Sequence, residues 1–335
     1  MRPSVAFLAL ALAANGCSSS TALQGGPGDG GNLPQVDGNL PQVDGNLPHP
    51  DGSLPNPGDG PCSGLGAQPL DTTWTVNFGG LDRMMDVHVP ASYDPTKRTA
   101  LILNFHGYTS NSMQEALLSK MNDKSDLEGF VVIYPNGTGS SLSWNAGACC
   151  GEAAMNMVDD VGFVSAIIDT AESKLCVDRR RVFATGMSNG GFLSHRLACE
   201  LSNRIAAAAP VAGVLGIPTC TPTRPVPIMG FHGTADPLVP YAGDTALGFP
   251  PVPDTYANWA IRDGCTQTPV ETFRMMDSHC STYGGCTGGA EVTLCTIDGG
   301  GHTWPGGFPI PGGYTTTYLS ATDAMWAFFQ KHSMP

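Results

Sequence analysis

A serine between two glycines stands in the middle of the sequence, in the pattern G-M-S-N-G at Gly186–Gly190. The β-branched and aromatic run 181–185 precedes it and predicts a buried strand, and apolar residues at helical spacing follow it. A strand, a sharp turn and a helix around this pattern are typical of a nucleophile elbow, in which a strained turn exposes a serine hydroxyl. Strand and helix backbones pass too close to such a turn for a Cβ at either glycine. Ser188 is therefore the candidate nucleophile.

A base and an acid for this serine follow two later apolar runs. Asp236 comes after the run 226–231, and His302 lies in a glycine-rich loop after the run 291–297. The chain order Ser188, Asp236, His302 is that of the α/β-hydrolase triad, in which histidine takes the serine proton and aspartate holds the imidazole tautomer. Asp298 is a rival acid, but it lies only four residues before His302. We therefore favour Asp236.

Backbone donors for a developing oxyanion are expected in the turn 106–109, which follows the run 100–105, with the Asn189 N–H as the second donor. His106 and His232 each precede a glycine at a strand end, where a histidine commonly orders the loop through hydrogen bonds. Trp144 and Trp304 are candidate apolar walls of a substrate site, with plain packing as the alternative for Trp144.

Apolar runs bounded by turn residues predict the elements that position these groups. Helical patterns at 160–175, 192–201 and 321–331 alternate with several of the runs. The pattern predicts an α/β fold with a mostly parallel, eight-stranded sheet that is covered by helices on both faces. Functional sites of such sheets lie at the carboxyl ends of the strands. The predicted strands are 73–78, 84–89, 100–105, 130–134, 181–185, 205–211, 226–231 and 291–297.

Residues 1–17 predict a bacterial export signal. Arg2 precedes the apolar run 5–14, which is too short to span a bilayer, and Cys17 follows a small residue as in a lipobox. Asn15 departs from the usual lipobox residue. We favour lipidation of Cys17, and ordinary cleavage with release of the protein is the alternative.

Residues 18–61 predict a disordered tether between this signal and a single catalytic domain at 62–335. The tether repeats the motif D-G-N-L-P, and its prolines and glycines forbid a helix. Its isolated apolar residues cannot bury enough surface to fold. A second G-x-S-x-G match at 60–64 has no strand before it and is interpreted as linker.

The cysteines predict a fold stapled by disulfides in an oxidising compartment. The chain has 11 cysteines, and ten remain when Cys17 is set aside, an even number. The adjacent Cys149 and Cys150 should point in different directions and bridge two separate partners, with Cys176 and Cys199 as candidates. Six others would form three bridges of unreadable connectivity: Cys62, Cys220, Cys265, Cys280, Cys286 and Cys295.

Charge and cysteine spacing exclude several classes of partner. The formal net charge is −13, which argues against binding to nucleic acid and to anionic lipid surfaces. No paired C-x₂-C elements with matching histidines occur, so no metal site is expected. Contact with a membrane is expected only through a lipid anchor at Cys17.

Eight segments in order together resemble the polyhydroxybutyrate depolymerase family of secreted esterases, which is close to the feruloyl and acetylxylan esterases. The resemblance covers about residues 70–330. It implies an α/β-hydrolase fold, carboxylic-ester substrates and no cofactor. The segments are Trp144-Asn145, Cys149–Gly151, Val158–Phe163, Cys176–Asp178, Gly186–Gly191, Ala209–Gly213, His232–Asp236 and Gly300–Pro305.

The resemblance also implies roles for single residues. It assigns an oxyanion-hole N–H to Tyr108, where many relatives carry cysteine. It gives Asp159 and Asp160 a structural role as carboxylates at a helix N-terminus. The leading hypothesis is an extracellular or cell-surface esterase, anchored to the outer membrane if Cys17 is lipidated. Its substrates would be polyhydroxybutyrate-type esters or feruloyl and acetyl esters of xylan. A serine peptidase on the same fold and a catalytically silent surface-binding protein are the alternatives, and the oligomeric state stays open.

Overall fold

The fold is a ten-stranded sheet between two layers of helices, and the computed structural model describes residue 62, residues 65–310 and residues 313–335. The predicted export signal, the predicted lipidation site Cys17, the predicted tether and the second G-x-S-x-G match lie outside these residues, apart from Cys62. The strands are β1 (Asp71–Phe78), β2 (Leu81–His88), β3 (Thr99–Phe105), β4 (Val131–Pro135), β5 (Val177–Met187), β6 (Ala207–Val211), β7 (Ile228–Gly233), β8 (Val270–Met275), β9 (Ser278–Tyr283) and β10 (Val292–Ile297).

Six parallel strands form the middle of the sheet. The strand order is β1-β2-β4-β3-β5-β6-β7-β10-β9-β8, and β4, β3, β5, β6, β7 and β10 run parallel. Antiparallel hairpins close both edges. The first hairpin joins the predicted strands 73–78 and 84–89 and turns at Gly79 and Gly80, which both have positive φ. The hairpin of β8 and β9 was not predicted, so the strand count of eight is corrected to ten.

Helices cover both faces of the sheet, as predicted. The α-helices among the described residues are α1 (Ser112–Ser119), α2 (Met121–Glu128), α3 (Gly151–Met155), α4 (Asp160–Lys174), α5 (Asn189–Glu200), α6 (Val252–Arg262) and α7 (Ala321–Phe329). Helices α4, α5 and α6 pack into one buried apolar cluster, while α2 and α7 contribute to the cluster on the other face.

Ten cysteines form five disulfides, and the predicted pairing of Cys149 and Cys150 with Cys176 and Cys199 is wrong. The adjacent pair bonds to itself. The Cα atoms of Cys149 and Cys150 are 3.1 Å apart, and their side chains meet instead of diverging as expected for adjacent residues of an extended chain. The other bridges are Cys62–Cys176, Cys199–Cys220, Cys265–Cys286 and Cys280–Cys295.

Candidate active site

Ser188 lies in a sharp turn between β5 and α5. It is the N-cap residue of α5 and has φ 56° and ψ −120°, a left-handed conformation that a residue with a Cβ rarely adopts. A Cβ added at Gly186 or Gly190 would overlap the carbonyl oxygen of Phe105 in β3. The predicted need for both glycines is therefore confirmed. The hydroxyl of Ser188 makes no hydrogen bond to any residue that the structure describes.

The loop after β3 lies directly beside this turn. A Cβ added at Gly107 would be 3.4 Å from the Cβ of Ser188. The backbone N–H groups of Tyr108 and Asn189 have no hydrogen-bond partner among the described residues. Two unpaired backbone donors beside a serine hydroxyl are the groups that an oxyanion hole requires.

His302 and Asp236 are joined by a hydrogen bond at the ends of β10 and β7. The Nδ1 of His302 is 2.7 Å from Oδ2 of Asp236. Because a carboxylate oxygen accepts, Nδ1 carries the proton and Nε2 is left as the acceptor. The other oxygen of Asp236 accepts the backbone N–H groups of Leu238 and Val239, each at 2.9 Å. The side chain of Asp236 is fully buried, while that of His302 is 12% exposed.

The environment keeps Asp236 ionised. Burial alone would raise the pKa of this carboxyl, but the hydrogen bond and charge of His302 lower it. The charge of His232 and the N–H of Val239 lower the pKa of Asp236 further, so it lies below its ordinary value. A buried negative charge is therefore available to stabilise a positively charged His302.

The loops that carry Asp236 and His302 are held together because β7 and β10 are parallel neighbours. The N–H of Ala235 donates to the carbonyl of Gly300 at 2.9 Å. The N–H of Gly299 donates to the hydroxyl of Thr234 at 2.7 Å. The loops that carry Ser188, Asp236 and His302 all follow carboxyl ends of parallel strands in the middle of the sheet.

His106 and His195 are buried, and both are uncharged at neutral pH. The Nε2 of His106 accepts the N–H of Gly137 at 3.0 Å, and its Nδ1 donates to the carbonyl of Gly107 at 2.7 Å. Burial lowers the pKa of His106 to about 4 and that of His195 to about 3. His195 accepts the indole N–H of Trp259 at 3.0 Å. Both therefore order the structure around the turn.

His232 orders its loop and also contacts the candidate acid. Its Nε2 donates to the carbonyl of Val239 at 2.8 Å and is 3.4 Å from Oδ2 of Asp236. Burial lowers the pKa of His232. Sequence motifs alone do not predict this contact, although the four-residue spacing of His232 and Asp236 within one loop is a signal for it.

The two tryptophans proposed as walls of a substrate site are packed inside the protein. Trp144 and Trp304 are both 0% exposed. The indole N–H of Trp144 donates to the carbonyl of His106 at 2.9 Å, and that of Trp304 donates to the hydroxyl of Thr322 at 3.0 Å. The prediction is corrected, because a ring without exposed surface offers none to a substrate. For Trp144, packing is the alternative that the structure supports.

The three remaining acidic residues of the sequence analysis, Asp298, Asp159 and Asp160, have different partners in the structure. The side chain of Asp298 is 58% exposed and its Oδ2 lies 3.7 Å from Nδ1 of His279, so it is not the partner of His302. Asp159 caps α4 by accepting the N–H of Gly162 at 2.8 Å. The fully buried Asp160 pairs with Arg83 at 2.8 Å. The structural interpretation of both helix carboxylates is confirmed.

Two general features of the described residues bear on other kinds of site. Among them, no group of three or more His, Cys, Asp or Glu side chains could hold a metal ion. No helix in this part of the chain is long and apolar enough to cross a membrane.

The sequence matches a known family and several known esterases. The family model "Esterase PHB depolymerase" matches residues 87–243. Feruloyl esterase B of Piromyces equi is 33% identical over 234 residues, which cover 66% of this chain and 42% of that protein. A probable feruloyl esterase C of Aspergillus oryzae is 31% identical over 272 residues, which cover 80% of this chain and 90% of that protein. The chain thus spans less than half of the first relative and nearly all of the second.

A solved structure shows the same fold. The acetyl xylan esterase from Aspergillus awamori superimposes with a TM-score of 0.57 at 17% identity, covering 77% of this chain and 99% of that one. The predicted α/β-hydrolase fold is confirmed. The chain therefore belongs to the esterase family of polyhydroxybutyrate depolymerases and feruloyl esterases, and its catalytic domain is that of a carboxylic ester hydrolase.

Proposed function

We propose that this domain hydrolyses esters through a triad of Ser188, His302 and Asp236. The observation that carries the proposal is the 2.7 Å hydrogen bond from His302 Nδ1 to buried Asp236. This bond leaves Nε2 of His302 as a base, and the loop of His302 lies at the carboxyl ends of the parallel strands, as does the turn of Ser188. The left-handed turn at Ser188 supports the proposal, because such turns expose a nucleophile.

The reaction follows from these roles. Ser188 Oγ attacks the ester carbonyl while His302 Nε2 takes its proton, and Asp236 stabilises the imidazolium. The negative oxygen of the tetrahedral intermediate accepts hydrogen bonds from the N–H groups of Tyr108 and Asn189. His302 then returns the proton to the leaving alcohol, and an acyl group remains on Ser188. Water, deprotonated by His302, then attacks the carbonyl carbon of this acyl-enzyme. The bond between that carbon and Ser188 Oγ breaks as His302 returns the proton to Oγ, and the acid is released.

We propose feruloyl or acetyl esters of plant polysaccharide as the natural substrates, with hydroxybutyrate esters as the second class. The identities of 31–33% with feruloyl esterases support the first class. Tyr108 is 43% exposed beside the candidate oxyanion site, where its side chain would narrow the cleft that receives the acyl group. We also propose that the domain works outside the cell, where five disulfides persist. Lipidation at Cys17 belongs to the same proposal.

The Ser188→Ala variant tests the chemistry, and a panel of substrates tests the specificity. We expect the variant to lose at least about 10³-fold in kcat on p-nitrophenyl butyrate. The wild-type enzyme should have a higher kcat/KM on methyl ferulate or acetylated xylan than on hydroxybutyrate oligomers. Unchanged activity of the variant would refute the triad. A preference for the oligomers would replace the substrate class without affecting the triad.

A further inference from the structure

The two candidate oxyanion donors come from different parts of the fold. The Tyr108 N–H belongs to the loop after β3, and the Asn189 N–H belongs to the first turn of α5. Such a site stabilises a transition state only when both donors are held in place before the reaction. A displacement of about 1 Å can lower a rate by about 10²-fold. Contacts within the protein must therefore hold the loop after β3 in a fixed position relative to the first turn of α5.

The side chain of Asn189 binds the backbone of Trp144 on both sides. Its Oδ1 accepts the N–H of Trp144 at 2.7 Å, and its Nδ2 donates to the carbonyl of Trp144 at 3.0 Å. Asn189 is fully buried, so no water competes for these bonds. The residue that offers one candidate donor is thereby attached to the segment that contains Trp144.

The side chain of Trp144 binds the loop that offers the other donor. Its indole N–H donates to the carbonyl of His106 at 2.9 Å. The ring packs edge-on against Phe105, with centroids 5.4 Å apart, and is fully buried. The same loop is ordered by His106, whose Nδ1 donates to the carbonyl of Gly107 at 2.7 Å. Trp144 thus contacts both elements, with its backbone on one and its indole on the other.

We propose that Trp144 and the side chain of Asn189 are positioning residues that set the distance between the Tyr108 and Asn189 N–H groups. The inference rests on the proposed function, because it assumes that these groups bind the oxyanion. Neither side chain makes a hydrogen bond to the side chains of Ser188, Asp236 or His302. Their effect reaches the reaction through the backbone donors alone.

The test is Trp144→Phe, which removes the indole N–H and keeps an aromatic ring. Trp259→Phe is the matched control. Trp259 is also 0% exposed and donates one indole hydrogen bond, at 3.0 Å, but to His195 inside the protein. Active sites are counted with a fluorophosphonate, so that kcat refers to correctly folded enzyme. Binding of a trifluoromethyl ketone, whose adduct carries an oxyanion, is measured in parallel.

We expect Trp144→Phe to lower kcat per active site by about tenfold to a hundredfold, with KM changed by less than about threefold. The inhibition constant of the ketone should rise by a similar factor. Trp259→Phe should stay within about threefold of wild type in both. Equal effects of the two variants, or a loss confined to thermal stability, would overturn the proposal.

A second variant decides the matter if Trp144→Phe does not fold. Asn189→Ala keeps the backbone N–H and removes both bonds to Trp144, so the same loss of kcat and of ketone affinity is expected. Wild-type values for Asn189→Ala would refute the positioning role. Failure of the proposed triad and failure of the positioning role give different results. Full activity of Ser188→Ala overturns the triad, whereas an inactive Ser188→Ala together with a normal Trp144→Phe overturns only the positioning role.

Discussion

Replacing Asp236 by asparagine tests the triad through the tautomer of His302. The aspartate uses its two oxygens differently: Oδ1 accepts the N–H groups of Leu238 and Val239, and Oδ2 accepts Nδ1–H of His302. An asparagine has one oxygen, which stays with the two backbone donors because the NH₂ group cannot accept their protons. The NH₂ group of the variant therefore faces His302.

The variant therefore holds His302 in the tautomer that cannot act as a base toward Ser188. His302 Nδ1 must accept from the new amide, so the ring proton moves to Nε2, which can no longer take the proton of Ser188. The same change in serine proteases lowers kcat by about 10⁴-fold. That loss corresponds to about 5.4 kcal/mol in the activation barrier. We expect a loss of this size for Asp236→Asn at neutral pH, with the fold intact.

The assay is kcat on p-nitrophenyl butyrate per folded enzyme, with Asp298→Asn as the control. Asp298 is the rival acid, it is mostly exposed, and it does not contact His302. The control should remain within about twofold of wild type. A loss of less than about tenfold for Asp236→Asn, or an equal loss for both variants, would refute the reasoning.

Two further predictions concern stability. Burial raises the pKa of Asp263 to about 7, so folding binds a proton and the free energy of unfolding falls as pH rises from about 4 to about 7. The difference in Tm between Asp263→Asn and wild type should therefore shift by several degrees in favour of the variant as pH rises from about 4 to about 7. Parallel curves of Tm against pH for the two proteins would contradict this. The bridge Cys199–Cys220 closes a loop with a sequence separation of 21, so Cys199→Ala with Cys220→Ala should lose about 3 kcal/mol in the free energy of unfolding, measured in urea. A loss below about 0.5 kcal/mol would argue against this bridge.

The sequence predicted the middle of the sheet well because its strands are buried on both faces. β3, for example, is buried at all seven positions, and its residues 100–105 are apolar except for Asn104. The hairpin of β8 and β9 escaped prediction for the opposite reason. β8 is exposed at most positions and β9 carries the polar sequence S-H-C-S-T-Y, so neither stands out as an apolar run. Edge strands depend on pairing with a neighbour, which the local sequence does not record.

In the candidate site too, features that depend on local backbone geometry were predictable, and features that depend on distant contacts were not. The turn at Ser188 was predictable, because the need for glycines at 186 and 190 is a local backbone requirement. The sequence offered both a substrate wall and plain packing for Trp144. It could not decide between them, since the burial of Trp144 depends on contacts with His106 and Asn189, which are far away in sequence. The bond between Cys149 and Cys150 was missed because an extended backbone was assumed for adjacent residues.

The most direct test of the triad is covalent labelling of the wild-type protein with a fluorophosphonate, followed by mass spectrometry of its peptides. An activated serine attacks this reagent, whereas ordinary hydroxyls do not. We predict one adduct per chain, on Ser188, with loss of esterase activity in proportion to labelling and no adduct in Asp236→Asn over the same time. An adduct on a different serine, or full activity after complete labelling of Ser188, would contradict the account.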